Sequence, residues 1–195
     1  METRHKILPP SYFNQPTLEV ARSLIGKYLV RDREQGPIAG KIIEVEAYVG
    51  PEDHACHASK GRTQRTDVLF GPAGMAYVYL IYGMYHCLNV VTERKGFPAA
   101  VLIRAIEIEG CLVDGPGRLC RELGIDRTLN RQDLTRGAAL WFEDRDRIVP
   151  QKMIATLPRI GVDYAGLWAK KPWRFRLQTV GDSNRKGARE TRRAK

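Results

Sequence analysis

Residues 42–49 read Ile-Ile-Glu-Val-Glu-Ala-Tyr-Val, and this run constrains the fold more than any other part of the chain. Side chains on a β-strand point alternately to opposite faces. Ile43, Val45, Ala47 and Val49 then make one apolar face, and Ile42, Glu44, Glu46 and Tyr48 make the other. One side of the strand covers a core; the other displays two carboxylates and a phenol in a row. A solvated outer face is the common outcome of such alternation. The next residues, Gly-Pro-Glu-Asp-His-Ala-Cys-His at 50–57, argue for more, because they open with a turn and bring further titratable groups close to Glu46 and Tyr48. A carboxylate beside an aromatic ring, near histidines, at the end of a strand suits a general base. The same stretch admits a metal reading, with His54 and His57 three apart and Asp53, Cys56 and Glu46 near. No zinc signature accompanies them, so the base reading ranks first and no metal or other cofactor is expected.

The rest of the chain supplies strands and short helices around this one. Residues 14–25, with Leu18, Ala21, Leu24 and Ile25 on one face, Pro16 near the start and Gly26 just past the end, predict a short amphipathic helix. Residues 27–32 and 38–49 predict strands joined at Gly36-Pro37. A Tyr-rich run at 75–82, interrupted by Gly83 and resumed at 86–92, predicts a hairpin. Residues 99–108 predict another strand, 118–123 a helix stopped by Gly124, and 140–142, 152–154 and 174–177 short strands. The expected fold is α+β, a single mixed domain with a curved, mainly antiparallel sheet and surrounding helices. Its bounds are 1–180, followed by a tail at 181–195.

Charge narrows the partners. The 195 residues carry a formal net charge of +10. Residues 181–195 contribute six Lys or Arg and two acids and read as a disordered basic tail, and the remaining body is still basic. A polyanion, nucleic acid above all, is the partner such a balance favours. No apolar run approaches the length of a membrane helix, and the N-terminus lacks the apolar core of a secretory signal. Cys56, Cys87, Cys111 and Cys120 form no C-x-x-C pair and read as reduced thiols of an intracellular protein.

Two more features stand out in a basic chain. The tyrosines at 77, 79, 82 and 85 would ordinarily be a buried aromatic strand, but flat rings also stack on nucleobases, and a ring at a hairpin tip can wedge into a base stack. Tyr82, beside Gly83, is placed for the tip. Tyr79 lies an odd number of positions away, so in a regular strand it points to the opposite side, toward a pocket. Arg104 interrupts the apolar strand at 99–108 and must pair with an acid or a phosphate if buried.

Taken together, EVEAYVGPEDHACH (44–57), GMAYVYLIYGMYHCLNV (74–90), AVLIRAIE (100–107) and DGPGRLCRELGI (114–125) resemble the alkyladenine (3-methyladenine) DNA glycosylases of the mammalian type, in that family's order. The resemblance implies a monofunctional base-excision repair enzyme on a mixed domain with a protruding β-hairpin. Such an enzyme flips an alkylated or deaminated purine (3-methyladenine, 7-methylguanine, hypoxanthine or 1,N6-ethenoadenine) from double-stranded DNA and hydrolyses its N-glycosidic bond. By position, Glu46 matches the general base. Tyr48, His57 and Tyr79 match the residues that clasp the flipped base, and Tyr82 the one that fills the vacated space. Asn89 matches a pocket residue that clashes with the 2-amino group of guanine, and Arg104 an arginine near the scissile nucleotide's phosphate and the water. No lysine falls in these stretches, so hydrolysis without a Schiff base is expected. A monomer is implied, nucleoid-associated in a bacterial cytoplasm or nuclear in a eukaryote. The competing classes are a non-catalytic nucleic-acid-binding module on the same scaffold and a metal-dependent hydrolase built on Asp53, His54 and His57. The size of the base pocket depends on residues including Leu69 and Leu102.

Overall fold

The computed structural model describes residues 5–178. In chain order its elements are β1 (Lys6–Ile7), α1 (Pro10–Phe13), α2 (Thr17–Leu24), β2 (Tyr28–Arg31), β3 (Ile38–Val49), β4 (Ala76–Ile81), β5 (Tyr85–Val91), β6 (Ala99–Ile108), β7 (Cys111–Asp114), α3 (Pro116–Glu122), β8 (Leu140–Asp144), β9 (Ile154–Leu157) and β10 (Arg174–Leu177). All ten strands belong to one sheet, whose main path runs β1-β8-β2-β3-β6-β5-β4. Every pairing between these strands is antiparallel. This is the expected α+β architecture. The basic tail at 181–195 and the domain limit at 180 lie outside the described residues.

The long β3 is the hub of the sheet. Residues 41–49 pair along one edge with β6. On the other edge residues 38–41 pair with β2, and Glu44, Val45 and Glu46 pair with β10. The two carboxylate residues are thus flanked by strands on both sides. The hairpin of β4 and β5 closes the opposite end of the path, with Tyr77 facing Asn89 and Tyr79 facing Cys87 across it.

Strict alternation along β3 fails at one point. The β3–β6 register shifts between Ile42 and Glu44 and again between Glu44 and Val45. Ile43 is the extra residue on β3 and Arg104 the extra residue on β6. Such a bulge reverses which face the preceding side chains point to. Ile42, rather than Ile43, therefore joins Val45 and Ala47 in the main core, and Ile106 joins Val101 and Ile103 there. Beyond the bulge the alternation holds: Leu88 and Val90 of β5 and Ala76 and Val78 of β4 face the same core. Helix α2 packs against this side through Val20, Ala21 and Leu24, and α3 through Leu119 and Cys120.

Other boundaries move for local reasons. The helix expected over residues 14–25 is α2, which begins only after Pro16, and a separate short helix, α1, precedes it at Pro10–Phe13. Residues 152–154 are not a strand from the start; Gln151–Met153 make one 3-10 turn and β9 begins at Ile154. Strand β7 was not foreseen. It returns from β6 through Glu109 and Gly110, both at positive φ, the conformation of the tight hairpin turns that match strand twist. All four cysteines are free thiols. Among the described residues no helix is long and apolar enough to cross a membrane.

The first turn of α3 seats at Gly117 against Tyr85, beside the turn of the β4–β5 hairpin. A Cβ there would lie 2.9 Å from Tyr85 Cδ1 and 3.0 Å from Tyr85 Cβ. Gly117→Val is expected to cost about 1–3 kcal/mol of stability through overpacking, read from urea denaturation midpoints; an unchanged midpoint would show that the Tyr85 end of the hairpin yields freely.

Candidate active site

The face of the sheet opposite the main core is where the polar and aromatic side chains gather. From β3 come Glu44, Glu46 and Tyr48; from β6, Ala100, Leu102 and Arg104; from β5, Cys87 and Asn89; from β4, Tyr77 and Tyr79. All but the two glutamates line a cavity of about 510 Å³. His57 and Leu69 enter it from the turns that follow β3. Its far rim is formed by residues 115–118 at the start of α3 and by Ile160, Gly161, Val162 and Tyr164.

Glu46 stands one layer behind this wall, with no exposed surface. Its Oε2 accepts the Tyr48 hydroxyl at 2.8 Å, its Oε1 accepts the Ile160 amide at 2.8 Å, and Arg104 Nη1 lies 3.4 Å from Oε2. Tyr48 and Arg104 both line the cavity, so the carboxylate meets it through them. Burial raises the Glu46 pKa above the ordinary carboxylate range, against the opposing pull of Arg104, the Ile160 amide, the Tyr48 hydroxyl and Arg174. Burial and the neighbouring Glu46 charge raise the Tyr48 pKa far above that of a free phenol, so Tyr48 remains a hydrogen-bond donor.

Arg104 has the acidic partners its place in an apolar strand demands. Its Nε donates to Glu44 Oε1 at 3.1 Å. Glu44, also buried, accepts Arg174 Nη1 at 3.1 Å and Arg176 Nη1 at 2.6 Å from β10. The carboxylates of β3 are thus embedded in arginines, which is what a low-dielectric site requires of buried charge.

The aromatic wall is a set of close ring contacts. His57 and Tyr79 meet edge to face with centroids 4.7 Å apart, and Tyr77 and Tyr79 are 5.2 Å apart. His57 Nδ1 and the Tyr77 hydroxyl are 2.9 Å apart. Arg65 covers the Tyr79 ring at 5.2 Å. Asn89 is buried and donates Nδ2 to the Tyr77 carbonyl at 3.1 Å, which fixes its side-chain amide at the cavity floor. Leu69 and Leu102 complete the lining.

Tyr82 is at the hairpin tip as anticipated, 83% exposed. Its φ is 53° and that of Gly83 is 70°. A bulky residue in the left-handed region is strained. The turn, not regular strand alternation, therefore sets the direction of Tyr82 relative to Tyr79, and both rings border the cavity. Met84 and Tyr85 beside it are exposed as well.

The metal reading finds no support in the placement of its residues. Asp53 is bound in a fork to Arg159, His54 lies outward with its ring 6.1 Å from that of Trp168, and His57 pairs with Tyr77. Among the described residues no three of His, Cys, Asp and Glu gather where they could hold an ion. Sequence reasoning missed Tyr77 as a partner of His57, and it missed Arg159, Ile160, Tyr164 and Arg174 altogether. These last four lie more than 100 positions beyond Glu46 in the chain, and no local pattern ties them to it.

His57 is held neutral. Burial, with Arg65 and Lys60 nearby, lowers its pKa to about 4. The unfolded chain takes up a proton near the ordinary histidine value of about 6.5, and the folded protein only near 4, so this residue's contribution to stability is full above that upper value and is lost as pH falls through the interval. A ¹H–¹⁵N NMR titration should place the His57 imidazole midpoint near 4; a midpoint at the ordinary value would contradict its burial against Tyr77 and Tyr79.

Comparison with known proteins follows the same lines. The family described as Methylpurine-DNA glycosylase (MPG) matches residues 11–180. A protein of Methanocella arvoryzae named "Putative 3-methyladenine DNA glycosylase" is 51% identical over 185 residues, covering 87% of this chain and 91% of its own length. Proteins of the same name from Myxococcus xanthus and Legionella pneumophila (strain Corby) are 51% and 48% identical. They cover 86% and 88% of this chain, and 88% and 94% of their own lengths.

Proposed function

This chain belongs to the methylpurine-DNA glycosylase family, and from that premise we propose that it excises alkylated and deaminated purines, 3-methyladenine first among them, from double-stranded DNA by hydrolysis at a flipped-out nucleotide. The observation that carries this reading is an aromatic-walled cavity backed by one buried carboxylate, with a strained, exposed tyrosine at its lip.

Flipping costs a few kcal/mol, least for a damaged base. Two features offset it. Tyr82 enters the gap left in the duplex, and Tyr48, His57 and Tyr79 receive the base, each stacked ring contributing roughly 1–3 kcal/mol. A cationic alkylated purine gains further from electron-rich rings. Asn89, held by the Tyr77 carbonyl, crowds a 2-amino group and so disfavours undamaged guanine; 7-methylguanine carries the same group, and its excision relies on the glycosidic bond that alkylation weakens.

The base step needs a water that reaches Glu46 Oε2 from the cavity, past the Tyr48 hydroxyl and Arg104 that screen it. That oxygen takes the Tyr48 hydroxyl closely, and Arg104 stands at the longer distance of 3.4 Å, which leaves it able to accept a proton. The ionised carboxylate deprotonates the water and stabilises positive charge developing on the sugar, as in other glycosidic cleavages. Arg104, at the cavity wall, meets the nucleotide's phosphate. Alkylated purines leave readily and need little acid assistance; for a neutral base, His57 offers a ring N–H. Among the described residues no lysine lines the cavity, in keeping with hydrolysis rather than Schiff-base chemistry. One chain supplies every residue of this scheme, which favours action as a monomer wherever the cell keeps its DNA.

Purified protein is expected to release free purine from duplexes containing 3-methyladenine, 7-methylguanine, hypoxanthine or 1,N6-ethenoadenine, equally with and without EDTA. Glu46→Gln should bind the lesion duplex and lose about 10²–10⁴-fold in single-turnover excision. Full excision by that variant would remove Glu46 as the base, and loss of wild-type activity in EDTA would favour the metal-dependent reading. Tyr82→Ala should weaken lesion-duplex binding by about 5- to 150-fold, the equivalent of one stacked ring, measured by fluorescence anisotropy; unaltered affinity would end the wedge role.

A further inference from the structure

Arg159 lies between β9 and the turns at Asp163–Lys170, and its side chain is fully enclosed. The excision chemistry above makes no use of it. Its guanidinium meets Asp53 as a fork, with Nη1 2.5 Å from Oδ2 and Nη2 2.8 Å from Oδ1. The same nitrogens donate to the carbonyls of Ala47 at 2.9 Å and Trp168 at 3.0 Å. The group lies over the rings of Tyr48 and Trp173, 4.8 and 5.1 Å from their centroids. Asp53 in turn accepts the amides of Val49 and Ala55, each at 3.1 Å. One guanidinium thus joins the end of β3, the turn that follows it, and the distant segment around residues 159–168.

These ties lead to the two hydrogen bonds that hold Glu46. The residue after Arg159 is Ile160, whose amide donates to Glu46 Oε1. The ring under the guanidinium is Tyr48, whose hydroxyl donates to Glu46 Oε2. A fully enclosed ion pair is poor value as a source of stability, because desolvation offsets its Coulomb gain. Its geometric specificity is another matter: a planar fork fixes both partners in orientation, and a lysine in its place cannot.

We propose that Arg159, locked by Asp53, is a positioning residue for Glu46, fixing both the peptide that presents the Ile160 amide and the ring that presents the Tyr48 hydroxyl. The inference rests on Glu46 being the base of the proposed reaction. Misplacement of a catalytic group by about 1 Å costs about 100-fold in rate, so the effect belongs in the chemical step rather than in lesion binding.

The pH dependence carries a second signature. Glu46 is faced by Tyr48 on its own strand, Arg104 from β6, Arg174 from β10, Cys87 from β5, and the Ile160 amide and Arg159 from the distal segment. The Ile160 and Tyr48 hydrogen bonds favour the ionised carboxylate, while burial favours the neutral one. Loosening the two bonds leaves burial less opposed. The base then protonates at higher pH, and the acid limb of the excision profile moves upward.

The test measures single-turnover excision, its pH profile and lesion-duplex Kd in the full chain for Asp53→Asn, Arg159→Lys and Arg159→Met, with Glu46→Gln alongside. Natively folded Asp53→Asn and Arg159→Lys, checked by thermal melting, should lose about 10- to 100-fold in rate, keep the wild-type Kd, and show the raised acid limb. Wild-type rate and profile in these variants would overturn the proposal. So would a parallel loss of rate and affinity with an unmoved profile, or failure of all three variants to fold, since each assigns the pair to architecture alone. Retention of excision by Glu46→Gln would instead strike the reading of Glu46 as base, whatever the Arg159 variants do.

Discussion

A carboxylate with no exposed surface, set between strands of a sheet, is the interaction on which the remaining architecture depends. Glu46 is flanked by β6 and β10 and sits opposite a core that requires Val45 and Ala47 to stay where they are. It cannot turn to solvent without dragging the sheet with it. Its burial is tolerable only because the Ile160 amide, the Tyr48 phenol and arginines from β6 and β10 converge on it. The need to satisfy this one group explains why the strand carrying it is long, why a short strand from the far end of the chain docks against it, and why the loop through Ile160 folds back over it.

The division of labour between the two faces of the sheet follows from period-two alternation interrupted once. On one face aliphatic side chains from β3, β6, β5 and β4 meet α2 and α3. On the other the same strands present tyrosines, an asparagine, an arginine and glutamates. The paired irregularity at Ile43 and Arg104 separates the two regimes along β3. Ile42 and Ile43 are buried on opposite sides of β3, and beyond the bulge the polar face reaches the cavity at Tyr48. A bulge that frees Arg104 from the regular ladder also lets its guanidinium touch Glu44 and Glu46 together.

How much of this was legible in the sequence depends on range. The polar face of β3, the hairpin with Tyr82 at its tip and the strand carrying Arg104 were readable because alternation and turn chemistry are local signals. The requirement that Arg104 find an acid was readable from the cost of burying it; that the acids would be Glu44 and Glu46 was not, since strand register is set by tertiary packing. The bulge at Ile43 left no trace, because Ile-Ile satisfies either face. Arg159 and Asp53 are 106 positions apart, and a fork between them has no signature in either neighbourhood. Local spacing alone does not separate His54 from His57, the resemblance selecting only the latter; in the fold His57 begins a 3-10 turn that aims it at the tyrosines, while His54 faces out beside Trp168.

The site divides into a rigid interior and a strained rim, and the contrast has a physical basis. Inside, every charge is tied by more than one bond, so the geometry around Glu46 survives only in one arrangement. At the rim, Tyr82 is 83% exposed in a left-handed conformation that costs on the order of 1 kcal/mol and gains no burial in return. Ordinary selection for stability would place glycine or asparagine there. A ring kept in that position must recover its cost elsewhere, and an aromatic wedge recovers it when stacked bases replace water around it. On the proposed function, the energy that holds a flipped base in the cavity is drawn from a contact made only in the complex, which leaves the buried carboxylate and its supports free to stay fixed while the duplex does the moving.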